Sequence, residues 1–226
     1  MGFYRGPNIV TNGLALAVDA GSTRSYPGSG TTTTSLVSSN TGNLTNGVGF
    51  SSDNGGAFVF DGVDDYIAFD TTLTFSSANL TSVAWVKLDS YPSQNSSIGF
   101  SPDSGTTGFR IYSISATSLG VWTRGTGGGV TAIATTNGIP LNEWVQVTFV
   151  LNGTNGKLYK NGIQILTGTF TQTPNALSSA PVWLSRYSGG GYYVDGKTAN
   201  ALLYNRALTA AEVLQNYNAQ KSRFGL

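Results

Sequence analysis

The 226-residue chain contains no cysteine, no histidine and only two glutamates, Glu143 and Glu212. Without cysteine there is no disulfide and no thiolate metal site, which leaves the compartment open. Without histidine or cysteine there is no Ser-His or Cys-His nucleophile. Charged residues make up 10% of the chain and the formal net charge is +1. That balance gives no electrostatic footprint for nucleic acid or an anionic membrane. No long apolar run occurs, and the opening MGFYRGPNIVTNG lacks the apolar core of a secretory leader. Neither a membrane span nor export by the usual route is therefore expected. What is abundant is glycine (30 residues), serine, threonine and aromatic side chains at 12%. This is the profile of many short strands joined by tight turns. The length suits one large all-β domain with a substantial core.

Local patterns support that reading. GLALAVDAG (13–21) is a short apolar strand, and the polar, glycine-rich stretch 22–56 reads as a surface excursion with weak strands. AFVF and YIAF flank Asp61-Gly62, a turn signal. TSVAWVKLD (81–89) alternates as a half-buried strand should. FRIYSI and SLGVWTR read as a pair followed by GVTAIATT, and EWVQVTFVL places Val145, Val147, Phe149 and Leu151 on one face. Asn161-Gly162 between two short strands is the strongest hairpin signal in the chain. APVWLSRY and NALLYNR add two more strands. One helix is expected, in LTAAEVLQNYNAQK. Thr209 is its N-cap, Glu212 completes a capping box, and Leu208 and Val213 occupy the staple positions. Val213, Leu214 and Tyr217 are expected to share its packed face. Roughly a dozen strands and one terminal helix imply an antiparallel jelly-roll β-sandwich.

FDGVDDYI (60–67), SVAWVKL (82–88), NEWVQVTFVLNGTNGKLYKNGIQI (142–165) and YNRALTAAEV (204–213) follow one another in an order and spacing that resembles the laminin-G-like branch of the concanavalin A-like lectin/glucanase superfamily. The resemblance covers about residues 13–220. It implies an all-β, concanavalin A-like sandwich over 13–220, an N-terminal arm at 1–12 and a C-terminal tail at 221–226. The opening GPNIVTNGLALAVDAGSTRSYPGSGTT and the ending RALTAAEVLQNYNAQKSRFGL are also similar to virion structural proteins of tailed phages, particularly myovirus-type phages of marine cyanobacteria. That similarity implies a decoration or accessory subunit of capsid, neck or tail. Such a subunit would assemble in the host cytoplasm, bind other virion proteins as a homo-oligomer such as a trimer, and display a lectin-like domain toward host-surface glycan. The alternative is a carbohydrate-binding module of a bacterial adhesin or polysaccharide-active system.

Four of the eleven acidic residues crowd into FDGVDDYIAFD. Asp61 reads as a turn residue and Asp64 and Asp65 as strand-entry residues, which along an extended chain point to opposite faces. Glucanases of the superfamily use two glutamates flanking an aspartate on one strand, and retaining hydrolysis needs two carboxyls about 5 Å apart. No Glu-x-Asp-x-x-Glu is present, so no catalytic residue is expected. Members of the superfamily often hold calcium near the first strand, where Asp19 matches. The usual acidic pair of the penultimate strand is replaced by Ala199 and Asn200. No cofactor is therefore expected, with calcium at Asp19 the disfavoured alternative. Gly127 to Gly129 and Gly189 to Gly191 read as loop glycines rather than phosphate loops. Trp85, Trp144 and Trp183 lie in apolar alternation and are expected in the core. The remaining aromatics gather near arginine: Trp122 with Arg124, and Arg186 with Tyr187, Tyr192 and Tyr193. These six are the candidate glycan-binding residues, because exposed aromatic faces stack on sugar rings and anchor interfaces.

Overall fold

The computed structural model describes residues 7–73, 78–91, 96–105, 107–125, 129–174, 180–187 and 192–226. In chain order, the first strands are β1 (Leu14–Asp19), β2 (Thr32–Thr34), β3 (Thr41–Thr45), β4 (Gly49–Ser51), β5 (Ala57–Asp61) and β6 (Tyr66–Leu73). The middle of the chain forms β7 (Asn79–Leu88), β8 (Phe100–Pro102), β9 (Gly108–Ser115), β10 (Ser118–Arg124) and β11 (Val130–Thr135). The last strands are β12 (Val145–Asn152), β13 (Asn155–Lys160), β14 (Ile163–Thr169), β15 (Ala180–Leu184) and β16 (Asp195–Tyr204), followed by helix α1 (Ala210–Gln220).

One layer of the sandwich is the sheet β14-β13-β12-β7-β16-β5-β4, with β1 pairing on the far half of β16. The other is the sheet β2-β3-β6-β15-β8 together with the meander β11-β10-β9, which antiparallel bridges Asp103↔Gly108 and Ile98↔Ile111 tie to the residues flanking β8. Among the described residues every pairing between these strands is antiparallel, and one isolated parallel bridge joins Leu88 to Leu141. Phe58, Phe60, Ile67, Phe100, Phe109, Phe149 and Val182 meet in one buried cluster between the layers. The expected sandwich and its terminal helix are both present.

Two turns show how local sequence sets the path. Asn161 and Gly162 have φ of 52° and 77°, the double left-handed geometry of a two-residue hairpin, and β13 pairs β14 across them. Gly62 also has positive φ, at 74°. Yet the turn at Asp61-Gly62 closes no hairpin: β5 belongs to one layer and β6 to the other.

Helix α1 begins as its sequence dictates. The Glu212 amide donates to the Thr209 hydroxyl, and the Thr209 amide donates to the Glu212 carboxylate. Leu208 and Val213 are both buried in a second cluster with Val83, Tyr159 and Tyr204. The packed face differs from the expected one. Val213 and Asn216 are buried, whereas Leu214 is 45% exposed. The helix is turned toward a polar network. Asn216 accepts from the Val10 amide at 2.8 Å and donates to the Tyr204 hydroxyl at 3.0 Å, which in turn donates to the Val10 carbonyl at 2.8 Å.

That packing overturns one further expectation. β7 is buried on both faces rather than half-buried. The helix and the C-terminal residues cover its outer side, where Trp85 is fully buried. Its ring stacks against Tyr217 at 5.7 Å and Phe224 at 4.1 Å. Trp85 is therefore a core residue of the outer face and not of the space between the layers.

Candidate functional site: an arginine–aromatic cluster

Alternation along β9 and β10 builds the site. Phe109 and Ile111 on β9, and Leu119 and Val121 on β10, point into the core. The intervening residues Arg110 and Tyr112, and Gly120, Trp122 and Arg124, lie on the opposite face. The antiparallel register sets Arg110 directly across from Trp122, Tyr112 from Gly120, and Arg124 from Gly108. Gly120 is required there: a Cβ would stand 2.5 Å from the Tyr112 ring. The chain leaving β15 then lays Tyr187 and Tyr192 over this row.

The result is a stack of rings around a guanidinium. The Arg110 carbon Cζ lies 4.2 Å from the Tyr187 ring centre, 4.8 Å from Trp122 and 6.0 Å from Tyr192. Arg124 lies 4.6 Å from the Trp122 ring. Trp122 meets Tyr187 edge to face at 6.1 Å, and Tyr187 meets Tyr192 at 5.8 Å. Arg124 donates to the Tyr187 hydroxyl at 2.9 Å and also to the Gly105 carbonyl. Cation–ring contacts strengthen as water is excluded. Trp122 is only 9% exposed and Arg110 7%, while Arg124, Tyr187 and Tyr192 are half-buried. Burial pushes the Arg110 guanidinium below its usual range, against the opposing pull of Tyr187, Asp103 and Tyr192.

A second, adjoining group forms around Arg186. Its Cζ lies 4.4 Å from the Tyr66 ring and 4.6 Å from Trp183. Tyr66 meets Trp183 at 5.8 Å and Tyr193 at 6.3 Å, and Arg186 and Tyr193 form a β-bridge. The six candidates thus fall into two neighbouring groups: Trp122, Arg124, Tyr187 and Tyr192 around Arg110, and Arg186 and Tyr193 with Tyr66 and Trp183. Arg110, Tyr66 and Trp183 were not legible as members. The available signal was parity, because FRIYSI places Arg110 on the side away from Phe109 and Ile111. Trp183 was expected in the core. It is half-buried, while its neighbours Val182 and Leu184 are the core residues of β15.

Residues 60–214 match the family described as the concanavalin A-like lectin/glucanases superfamily. The chain belongs to the concanavalin A-like lectin/glucanase superfamily. Solved structures share the fold at low identity. Domain 4 of AbnA, an extracellular arabinanase from Geobacillus stearothermophilus solved with arabinotriose, is 16% identical with a TM-score of 0.72, over 90% of this chain and 98% of that one. The botulinum neurotoxin serotype G binding domain is 16% identical with a TM-score of 0.71, over 92% of this chain and 51% of that one. Trypanosoma rangeli sialidase in complex with sialic acid is 16% identical with a TM-score of 0.68, over 95% of this chain but 34% of that one. At such identities the likeness is one of fold. No curated protein sequence matches the chain.

The carboxylates of this superfamily member have mostly structural partners. Asp19, the calcium candidate, accepts from one Arg223 nitrogen at 2.8 and 3.0 Å and from the Gly21 amide at 2.8 Å. Glu212 caps α1 and is paired with Arg206 at 2.5 Å. That pairing holds its carboxyl down at about 2. Glu143 is exposed. Asp61 accepts from the Val63 and Asp64 amides, a side-chain turn of the kind its sequence predicts. Asp64 and Asp65 do not point apart, however. The backbone bends at 62–64 instead of extending, and oxygens of Asp61, Asp64 and Asp65 lie within 4.8 Å of one another. Asp65 is buried and accepts from the Asp61 amide; desolvation and the two neighbouring charges raise its pKa. This is the one acidic group among the described residues whose donor set suits a hard cation. A cleft of about 460 Å³ opens elsewhere, between β12–β13 and the start of α1, beside Asn152, Lys157 and Thr209. Gly127, Gly128 and Gly189 to Gly191 lie outside the described residues.

Proposed function

We propose that this protein is a non-enzymatic, lectin-like β-sandwich that binds glycan through the arginine–aromatic cluster of β9, β10 and the chain following β15. The observation that carries the reading is the stack of Trp122, Tyr187 and Tyr192 around Arg110, with Arg124 bonded to Tyr187. The half-buried rings of Tyr187 and Tyr192, with buried Trp122 behind them and fixed hydrogen-bond donors beside them, offer what a sugar needs: a flat apolar face to stack on and directional partners for its hydroxyls. Two observations support a binding role without catalysis. Glu212 is held by its cap and by Arg206, and Glu143 is exposed in a bend before β12, on the opposite sheet. The arabinanase domain, solved with arabinotriose, shows that this fold is also found in a sugar-bound state. A glycan array tests the proposal: signals lost in Trp122→Ala, Tyr192→Ala support it, and signals unchanged in that double variant refute it.

The finer setting is a phage virion, with the domain as a capsid decoration or a head, neck or tail accessory subunit that meets host-surface glycan. It rests on the similarity of both chain ends to virion proteins. Attachment to another virion protein and a homo-oligomeric state such as a trimer belong to the same proposal. Val10 and Phe224, apolar residues of the two ends, are buried against this chain's own sandwich. They are therefore not free anchors for an outside partner; Phe3 and Tyr4 lie outside the described residues. Mass spectrometry of purified particles decides the setting. Absence of the chain from virions would leave the adhesin or polysaccharide-system alternative.

A further inference from the structure

We infer that the glycan taken by this site is acidic, with a sugar carboxylate seated against Arg110 and Arg124. The inference rests on the glycan-binding reading above and names the class of sugar.

The argument begins with unspent donors. Arg110 is 7% exposed, and its Nε and Nη1 have no hydrogen-bond partner. Arg124 likewise has an unpartnered buried Nε. A buried donor left unpaired is costly, and more so when it is charged. Native structures mostly pair such groups, with protein, water or a bound ion. Both guanidiniums are positive, both lie against the Trp122 ring, at 4.8 and 4.6 Å, and the charge of Arg124 acts to lower the Arg110 pKa. Like charges held this close repel one another unless an anion is shared between them.

No carboxylate among the described residues forms an ion pair with either guanidinium. The ion pairs among these residues are Lys197–Asp53, Arg206–Glu212 and Arg223–Asp19, none of which involves Arg110 or Arg124. Asp103 is the nearby acidic residue, and its Oδ1 accepts from the Gly105 amide at 2.7 Å. Its Oδ2 is buried without a hydrogen-bond partner, and its charge favours the Arg110 cation without forming an ion pair with it. One aspartate facing two arginines leaves a net positive charge.

The guanidinium itself selects a planar anion: its N–H groups all lie in its own plane, and at Arg110 that group is packed beside the Tyr187 and Trp122 rings. A carboxylate matches that geometry. The Tyr187 hydroxyl accepts from Arg124 and so has its own proton to donate to the same oxygen pair. The rings of Tyr187 and Tyr192 supply the stacking surface for the sugar that bears the carboxylate.

The test is titration calorimetry of the full chain with matched pairs: a galacturonate tetramer against a neutral galactose tetramer, and sialyllactose against lactose. The two acidic members separate a uronate from a sialic acid as the source of the carboxylate. At least one acidic member is expected to bind about tenfold or more tightly than its neutral partner, since one charge-assisted contact is worth that much. Arg124→Gln, at a half-buried position, and Arg110→Gln are each expected to erase that preference, with folding checked by circular dichroism. Equal binding of acidic and neutral members overturns this inference and leaves the glycan-binding reading standing. So does an acidic preference that survives in both variants. Binding of no sugar in either pair, nor in the array, removes both together.

Discussion

Removal of the Phe224 ring tests whether the C-terminal residues belong to the domain. Phe224 stacks on Trp85 with centroids 4.1 Å apart and planes 20° apart, and it touches Trp144 at 4.8 Å. It is 8% exposed and shares its cluster with Ala57 and Ala199, which are fully buried. Arg223 beside it is anchored to Asp19 and donates to the Gly56 carbonyl at 2.6 Å. Truncating a buried phenylalanine costs about 3–5 kcal/mol when the cavity cannot close. Phe224 is not completely enclosed, at 8% exposed, so the lower part of that range, about 3 kcal/mol, is expected for Phe224→Ala. That is a large share of the stability of an ordinary domain. Urea denaturation followed by tryptophan fluorescence measures it, and the native spectrum should also shift to the red as Trp85 meets water. A loss below about 1 kcal/mol with an unchanged spectrum would refute the packing argument, and it would free the tail to serve as a docking segment.

Tyr204→Phe removes the hydroxyl shared by Asn216 and Val10, whose burial holds the phenol up at about 12. It should cost about 1–3 kcal/mol through the groups left unpaired, read from the urea midpoint. Thr209→Ala breaks the capping box and should cost about 1 kcal/mol by the same measurement. For Glu212, the bond from Arg206 lowers the folded-state pKa from 4.5 to about 2. Its contribution is therefore complete above pH 4.5 and is lost as pH falls through about 2. Linkage alone sets a ceiling of about 3 kcal/mol, which solvent screening of this partly exposed pair reduces to about 1 kcal/mol. Glu212→Gln should flatten that stretch of the acid stability curve, and a curve parallel to the parent's would contradict the assignment.

Much of the architecture was legible because short-range chemistry controls it. Asn161-Gly162 tolerates left-handed backbone at both positions, so the β13–β14 turn follows from two residues. Thr209 and Glu212 satisfy each other's amides, so the start of α1 follows from four. Parity along EWVQVTFVL picked out Val145, Val147, Phe149 and Leu151 as core residues of β12. The motif order then identified the superfamily, which the match over 60–214 shows.

What tertiary structure alone decided is where the two faces of each strand go. An alternating strand reads as half-buried whether its second face meets water or another element, so TSVAWVKLD could not announce that α1 and Phe224 cover it. Helix periodicity allowed Val213, Leu214 and Tyr217 to face inward together; the Asn216–Tyr204–Val10 network, joining residues far apart in the chain, set the actual rotation. The Asp61-Gly62 turn was visible, but not that it carries the chain from one layer to the other, because the turn's geometry is local and sheet membership is not. The site divides in the same way. Arginine and aromatic residues near Trp122 and Tyr187 could be picked out by adjacency, whereas Arg110 joins them only through its antiparallel partner, Trp122. Register is the property of a strand pair, and no single stretch of sequence contains it.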